Sequence, residues 1–241
     1  ADLAARAGVG FDNDPHEVTL ALVIEGVDQT RVQAFRRENA ALYKSAMSEA
    51  SRLNGGDPLG SRLLQGIDVA DAVDLTRAEI QLRREAFTAL LYLREHVPGY
   101  EWARIAVTHP QLGVRQGRRI HGGYTLTDQD LRSSRKAEDG IARLGAYFPD
   151  WGPIYQRKRL AYDIPYRCLV PKSIDGLLVA GRCISCDYGT CNTMRLIVPC
   201  FATGQAAGAA SALAVELGVV PRRVPAATLR ASLGRQRVYL G

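Results

Sequence analysis

The chain has 241 residues, 46% hydrophobic and 23% charged, a balance that suits a globular protein able to bury a sizeable core. Its formal charge is +6, yet the arginines are scattered and no aromatic platform interleaves them, which argues against nucleic acid as a partner. No apolar run approaches the ~20 residues of a membrane span, and no basic-then-apolar leader opens the chain, so the expectation is a cytoplasmic protein with no membrane partner.

Val18 to Ile24 is β-rich and predicts a strand. Gln29 to Leu53 carries Val32, Phe35, Leu42, Ala46 and Leu53 at helical spacing and predicts one long helix, broken at Asn54 to Pro58. A second helix is expected to begin at Thr76, with Glu79 as its capping-box partner, and to run to about His96. Ile105 to Thr108 reads as a short strand, Gly113 to Thr127 as a strand pair around Gly122-Gly123, and Gln129 to Ser133 as a short helix capped by Thr127-Asp128. Asp139 to Tyr147 predicts another short element. Strands are expected near Cys168 and over Leu177 to Ala180, an apolar run of the buried-strand type that Gly181 ends. A long helix follows from about Arg195, dense in small residues from Ala202 to Ala210.

Three groups of residues carry candidate chemistry. On a strand, Arg115 and Arg119 share a face and Arg118 points away; the pair would grip a carboxylate or form ion pairs with Asp128 or Asp130. His121 and Tyr124 lie close by and are candidates for proton transfer, with a purely structural role as the alternative. All five cysteines (Cys168, Cys183, Cys186, Cys191 and Cys200) fall in the last third. The close trio Cys183, Cys186 and Cys191 suits zinc, an iron–sulfur cluster or a redox disulfide; with an odd cysteine count and no leader we read them as reduced thiols and assign no metal site.

The ordered blocks IPYRCLVPK, LLVAGRCIS and MRLIVPCFATGQAAG between Ile164 and Gly208 resemble the C-terminal end of FAD-dependent oxidoreductases of the glutathione-reductase-like flavoprotein superfamily. More narrowly they are similar to a bacterial group that ends in this AGRCIS and GQAAG pattern. Asp74 to Ile80, Gly113 to Ile120 and Tyr124 to Thr127 match the same group, so the resemblance covers nearly the whole chain. The cysteine loop SCDYGTCNT and the stretch Pro149-Asp150-Trp151-Gly152 depart from the group's pattern. The Rossmann turn G-x-G-x-x-G, which would receive the FAD pyrophosphate, occurs nowhere in the sequence, and the opening residues resemble the middle of a longer relative.

The resemblance implies an α/β fold: an α+β substrate domain plus the C-terminal part of a FAD-binding Rossmann-like domain. The boundaries expected are a junction segment at 1–11, the substrate domain at 12–159, the FAD-domain part at 160–217 and a C-terminal tail or helix at 218–241. It further implies that Ala180, Gly181 and Arg182 meet the FAD ribityl and pyrophosphate, with Arg182 paired to a phosphate. Cys183 and Cys200 stand where the family block carries cysteine. The start of the helix over Met194, Arg195 and Gly204 would face the flavin pyrimidine, where partial positive charge favours the reduced anion. The function implied is hydride transfer between FAD and a small organic substrate, in a hetero-oligomer with a second chain, or a cleaved N-terminal fragment, that carries the Rossmann half. Two rival roles remain from the sequence: a non-enzymatic assembly or regulatory subunit, and an electron-transfer subunit with a cysteine-bound cluster.

Overall fold

The structure is a computed structural model and describes residues 2–12, 17–57, 62–145 and 160–241. Elements run in the order α1 (Asp2–Arg6), β1 (Phe11–Asp12), β2 (Glu17–Leu20), β3 (Leu22–Glu25), α2 (Gln29–Glu38), α3 (Ala40–Asn54), β4 (Arg62–Gln65), α4 (Ala72–His96), β5 (Arg104–Thr108), β6 (Gly113–Val114) and β7 (Arg119–Ile120). There follow α5 (Asp128–Arg132), β8 (Gly140–Gly145), β9 (Ala161–Pro165), α6 (Tyr188–Met194), α7 (Ile197–Leu217) and α8 (Ala226–Arg235). The fold is α/β, with helices packed on small sheets whose named strands all pair antiparallel among the described residues.

By packing, the chain divides into two compact units, Pro15–Arg115 and a second made of Ala1–Asp14 with Gln116–Gly241. Residues 116–145 thus pack with the C-terminal elements, although they were expected within a substrate domain of 12–159.

In the Pro15–Arg115 unit, β2 pairs with β4 and β6, and β3 pairs with β5 across a bulge at Val23/Ile24. The single strand expected over Val18 to Ile24 is therefore two, divided at Ala21. Asn39 (φ −131°, ψ 50°) splits the expected long helix into α2 and α3. After the break the inward face shifts, so Tyr43, Met47 and Ala50 reach the core while Leu42 stays exposed. Helix α3 ends at Gly55 in the left-handed conformation, a common helix stop. Helix α4 starts one turn before the expected Thr76: Asp71 is its N-cap and accepts the Val73 N–H at 2.8 Å. Thr76 instead donates to the Ala72 carbonyl at 2.7 Å, and Glu79 pairs with Arg83. Ala78, Leu82, Ala86, Leu90 and Leu93 recur every three or four residues and are buried, and this stripe holds α4 in place.

The expected strand pair around Gly122-Gly123 does not form. Strand β6 pairs with β2 in one unit and β7 with β1 in the other, so long-range partners take the backbone groups that a local hairpin would use. Thr127 caps α5 in a reciprocal box with Asp130, as its position suggested. The element expected over Asp139 to Tyr147 is strand β8, paired with β9. Tyr147 and the Pro149-to-Gly152 stretch lie outside the described residues. Leu177 to Ala180 joins no strand ladder, and the Val179 N–H donates to the Leu169 carbonyl at 2.8 Å.

Helix α7 spans 21 residues with no charge before Glu216, so by length and composition it could cross a membrane, contrary to the reading of the bare sequence. Its buried side, Thr203, Ala206, Ala210, Leu213 and Ala214, packs into a core with Ile141, Ile164, Leu229 and Leu233, as the central helix of a globular unit does.

Gly99 tests the packing at the end of α4. It sits at φ +100°, and an added Cβ would lie 2.6 Å from the Asp28 carbonyl oxygen. Gly99→Ala should cost about 1–3 kcal/mol through strain and crowding, read as a lowered midpoint in chemical denaturation.

Candidate functional site

The residues singled out from sequence, except Arg115, fall in the unit that contains Gln116–Gly241. Arg115 belongs to the other unit, where its Nε donates to Thr19 Oγ1 at 3.3 Å. Arg119 does not share a strand face with it. It lies in β7, 1% exposed, and its Nε donates to the Cys186 carbonyl at 2.9 Å. Asp128 and Asp130, the acids expected to serve these arginines, pair with Arg132 and Arg135.

At the expected cofactor stretch, Ala180 is extended and Gly181 turns at φ +74°, opening the single 3-10 turn Gly181–Cys183. The Gly181 N–H donates to Thr203 Oγ1 at 3.0 Å and ties this turn to α7. An added Cβ would meet only Cys200 Sγ, at 3.8 Å, so glycine is required there by backbone conformation rather than by space within the chain. Arg182 is exposed, and the Cys183 thiol donates to the Ala180 carbonyl at 3.4 Å. Met194 is buried, and its carbonyl accepts the Cys200 thiol at 3.6 Å.

Arg195 is not at the start of the long helix. It caps the C-terminus of α6, and its Nε donates to Asn192 Oδ1 at 3.3 Å. The helix starts two residues later, after the N-cap Leu196, with no side-chain cap and no acidic residue in its first turn. Its first N–H groups therefore keep their partial positive charge. Gly204, two turns further along, is exposed with no atom within 4 Å of an added Cβ.

The segment after the turn and the segment after Gly122 lie side by side. Leu126 and Cys186 form a parallel bridge, Thr125 Oγ1 lies 3.1 Å from Ser185 Oγ, and an added Cβ at Gly122 would fall 2.7 Å from the Ser185 Cβ. This places His121 and Tyr124 on the strand-like stretch beside Ile184–Cys186, next to the Gly181 turn. The His121 Nε2 is 3.0 Å from Asp12 Oδ1, an acid–histidine pair that is half exposed. The Tyr124 hydroxyl bonds the Asp130 carboxylate at 2.9 Å, while the guanidinium groups of Arg135 and Arg167 lie 4.7 and 5.4 Å from its ring centre. Burial and this bond to Asp130 push the Tyr124 hydroxyl up to about 12, so it holds its proton at neutral pH. Burial works to raise Asp130, but the Thr127 N–H, the Tyr124 and Thr127 hydroxyls and Arg135 prevail and hold it below the ordinary carboxylate range.

Arg135 and Arg167 also line a cleft of about 560 Å³ with Lys136, Asp139, Tyr166 and Arg222. Arg167 bonds Asp139 through Nε at 2.9 Å, and Arg222 pairs with Asp175. The cap at Thr127 was visible in the sequence, whereas its box partner Asp130 is shown by the structure, and Asp12, Arg135 and Arg167 carried no local signal and are recruited by tertiary packing.

Asp130 offers a pH test. Its folded pKa lies below the ordinary value of 3.8, so its stabilisation is complete above the carboxylate range and is lost as pH falls through and below it. Asp130→Asn should cost about 2 kcal/mol at neutral pH, and the gap in melting temperature to wild type should close as the medium is acidified below roughly pH 4.

A family model described as FAD dependent oxidoreductase matches residues 2–233. No curated protein and no solved structure matches the chain. The residues at the Gly181 turn fit that cofactor: a positive-φ glycine, an exposed arginine, and an uncapped helix start flanked by exposed Ile197 and Phe201, suited to an electron-rich, flat, apolar ring system. The chain belongs to the FAD dependent oxidoreductase family, and FAD is its cofactor.

Proposed function

We propose that this flavin-dependent oxidoreductase chain supplies the substrate-binding part and the C-terminal flavin-closing part of the enzyme, and that a second polypeptide supplies the nucleotide-binding Rossmann half. The observation that carries this reading is the outer side of α7. Ile197, Phe201 and Val215 are 72%, 74% and 83% exposed. With Gly204 and Gly208 they recur at helical spacing along one side of a 21-residue helix. A side this apolar, with glycines where another backbone can approach closely, fits an interface better than free solvent.

When bound, FAD supplies hydride exchange at its N5 with a small organic substrate. Gly181 would let the backbone pass close to the cofactor, Arg182 would face a phosphate, and the first N–H groups of α7 would face the flavin pyrimidine edge. Tyr124, kept protonated, and His121, oriented by Asp12, are the groups of this chain that would hold or move a proton for the substrate. The cleft lined by Arg135, Lys136 and Arg167 favours an anionic substrate, such as a carboxylate. We place the assembly in the cytoplasm.

Two variants test this assignment. Gly208 has no neighbour within 4 Å of an added Cβ, so Gly208→Leu should leave the chain's own melting temperature unchanged. Co-expressed with a G-x-G-x-x-G-bearing partner, it should fail to co-elute on size exclusion; co-elution with full flavin would overturn the interface. Gly181→Val forces a β-branched residue to φ +74° and should abolish flavin absorbance in the purified complex. Wild-type occupancy would refute the placement of the cofactor turn. The unpartnered chain should purify colourless.

A further inference from the structure

Gln116, in the loop before β7, is fully buried, and no step above uses it. Its Nε2 donates to Asn192 Oδ1 at 3.1 Å. Its Oε1 is also buried and has no hydrogen-bond partner among the described residues. A buried amide with one half unpaired costs stability, so the core gains little from Gln116, and its bond to Asn192 is what the residue contributes.

The orientation of Asn192 follows from its neighbours. The Arg195 Nε donates to the same Oδ1 at 3.3 Å. A guanidinium only donates, so the Asn192 atom that faces it is the oxygen, and the Gln116 atom that faces this oxygen is the amide nitrogen. Two donors hold Oδ1. The Asn192 Nδ2, at the other end of an exposed amide, has no partner among the described residues.

Asn192 also stands beside the Gly181 turn. The Cys191 thiol donates to the Arg182 carbonyl at 3.7 Å. The Met194 carbonyl accepts the Cys200 thiol at 3.6 Å, and that sulfur lies 3.8 Å from a Cβ built on Gly181. The last turn of α6 therefore packs on the Gly181–Cys183 turn, and α7 starts three residues after Met194.

We infer, on the placement of the cofactor at the Gly181 turn, that Asn192 is a cofactor-binding residue whose Nδ2 donates to a carbonyl oxygen on the pyrimidine edge of the flavin ring, and that Gln116 is its positioning residue. A neutral amide donor suits a ring carbonyl, whereas a phosphate is better matched by the charged fork of an arginine. A donor at this edge binds the electron-rich reduced ring more tightly than the oxidised ring, so it raises the reduction potential.

Redox titration of the flavin-loaded complex against a reference dye tests this. Asn192 is exposed, so Asn192→Ala should fold as wild type. It should shift the two-electron equilibrium about tenfold against reduction, a midpoint ~30 mV lower. Gln116→Leu replaces a half-satisfied amide with an apolar side chain and should leave the chain's melting temperature near wild type. It should lower the potential in the same direction by loosening Asn192, and should add nothing when combined with Asn192→Ala. A merely structural role for Gln116 would not vanish in the double variant. Wild-type potential with full flavin in Asn192→Ala, or a Gln116→Leu shift that persists in the double variant, would overturn the roles given to these two residues. If Gly181→Val meanwhile loses its flavin, only those roles fall and the cofactor turn stands; flavin retained in Gly181→Val removes the turn itself.

Discussion

One buried charge organises the C-terminal unit. Arg119 heads the fully buried side chains by volume, and its Nε bonds the Cys186 carbonyl. A guanidinium out of water costs several kcal/mol unless its donors are satisfied, so this contact constrains everything that touches it. It fixes β7 against the cysteine loop, and the Leu126–Cys186 bridge and the Gly122–Ser185 approach continue the same alignment. Through that alignment the stretch bearing His121 and Tyr124 lies beside the segment that leads out of the Gly181 turn.

The second constraint is the division of α7 into two faces. One side closes the core through Ala206, Ala210, Leu213 and Ala214, where small side chains let the helix approach β8 and α8. The other side exposes large apolar residues and two glycines. Burial of Ile197 and Phe201 against a partner would be worth about 1.5–3 kcal/mol for each side chain. Helix α7 thus joins the core, the Gly181 turn through Thr203, and the surface proposed to meet the cofactor and the second polypeptide.

Around Tyr124 the electrostatics divide between strong and weak contacts. Asp130 is 5% exposed and satisfied by four groups, which makes it a rigid anchor for the tyrosine hydroxyl. The Arg167–Asp139 pair is half open to solvent on the arginine side, where such pairs contribute little to stability.

Local chemistry in the sequence determined several features by itself. Thr127 marked a helix cap, the end of α4 followed from His96 and the Pro98-Gly99 stop, and Gly181 marked a turn, because each depends on residues within one turn of the chain. The six ordered blocks also pointed to the FAD dependent oxidoreductase family. Tertiary structure alone decided the rest. Asp71 rather than Thr76 begins α4, because the buried stripe from Ala78 onward stabilises an extra turn upstream. Strands β6 and β7 part company, because β2 and β1 offer backbone partners far away in sequence. Arg195 ends one helix rather than starting the next, and Arg119 is buried rather than paired with Arg115 on one face. Such outcomes depend on groups distant in sequence that compete for the same hydrogen bonds and the same buried space, and no local pattern encodes that competition.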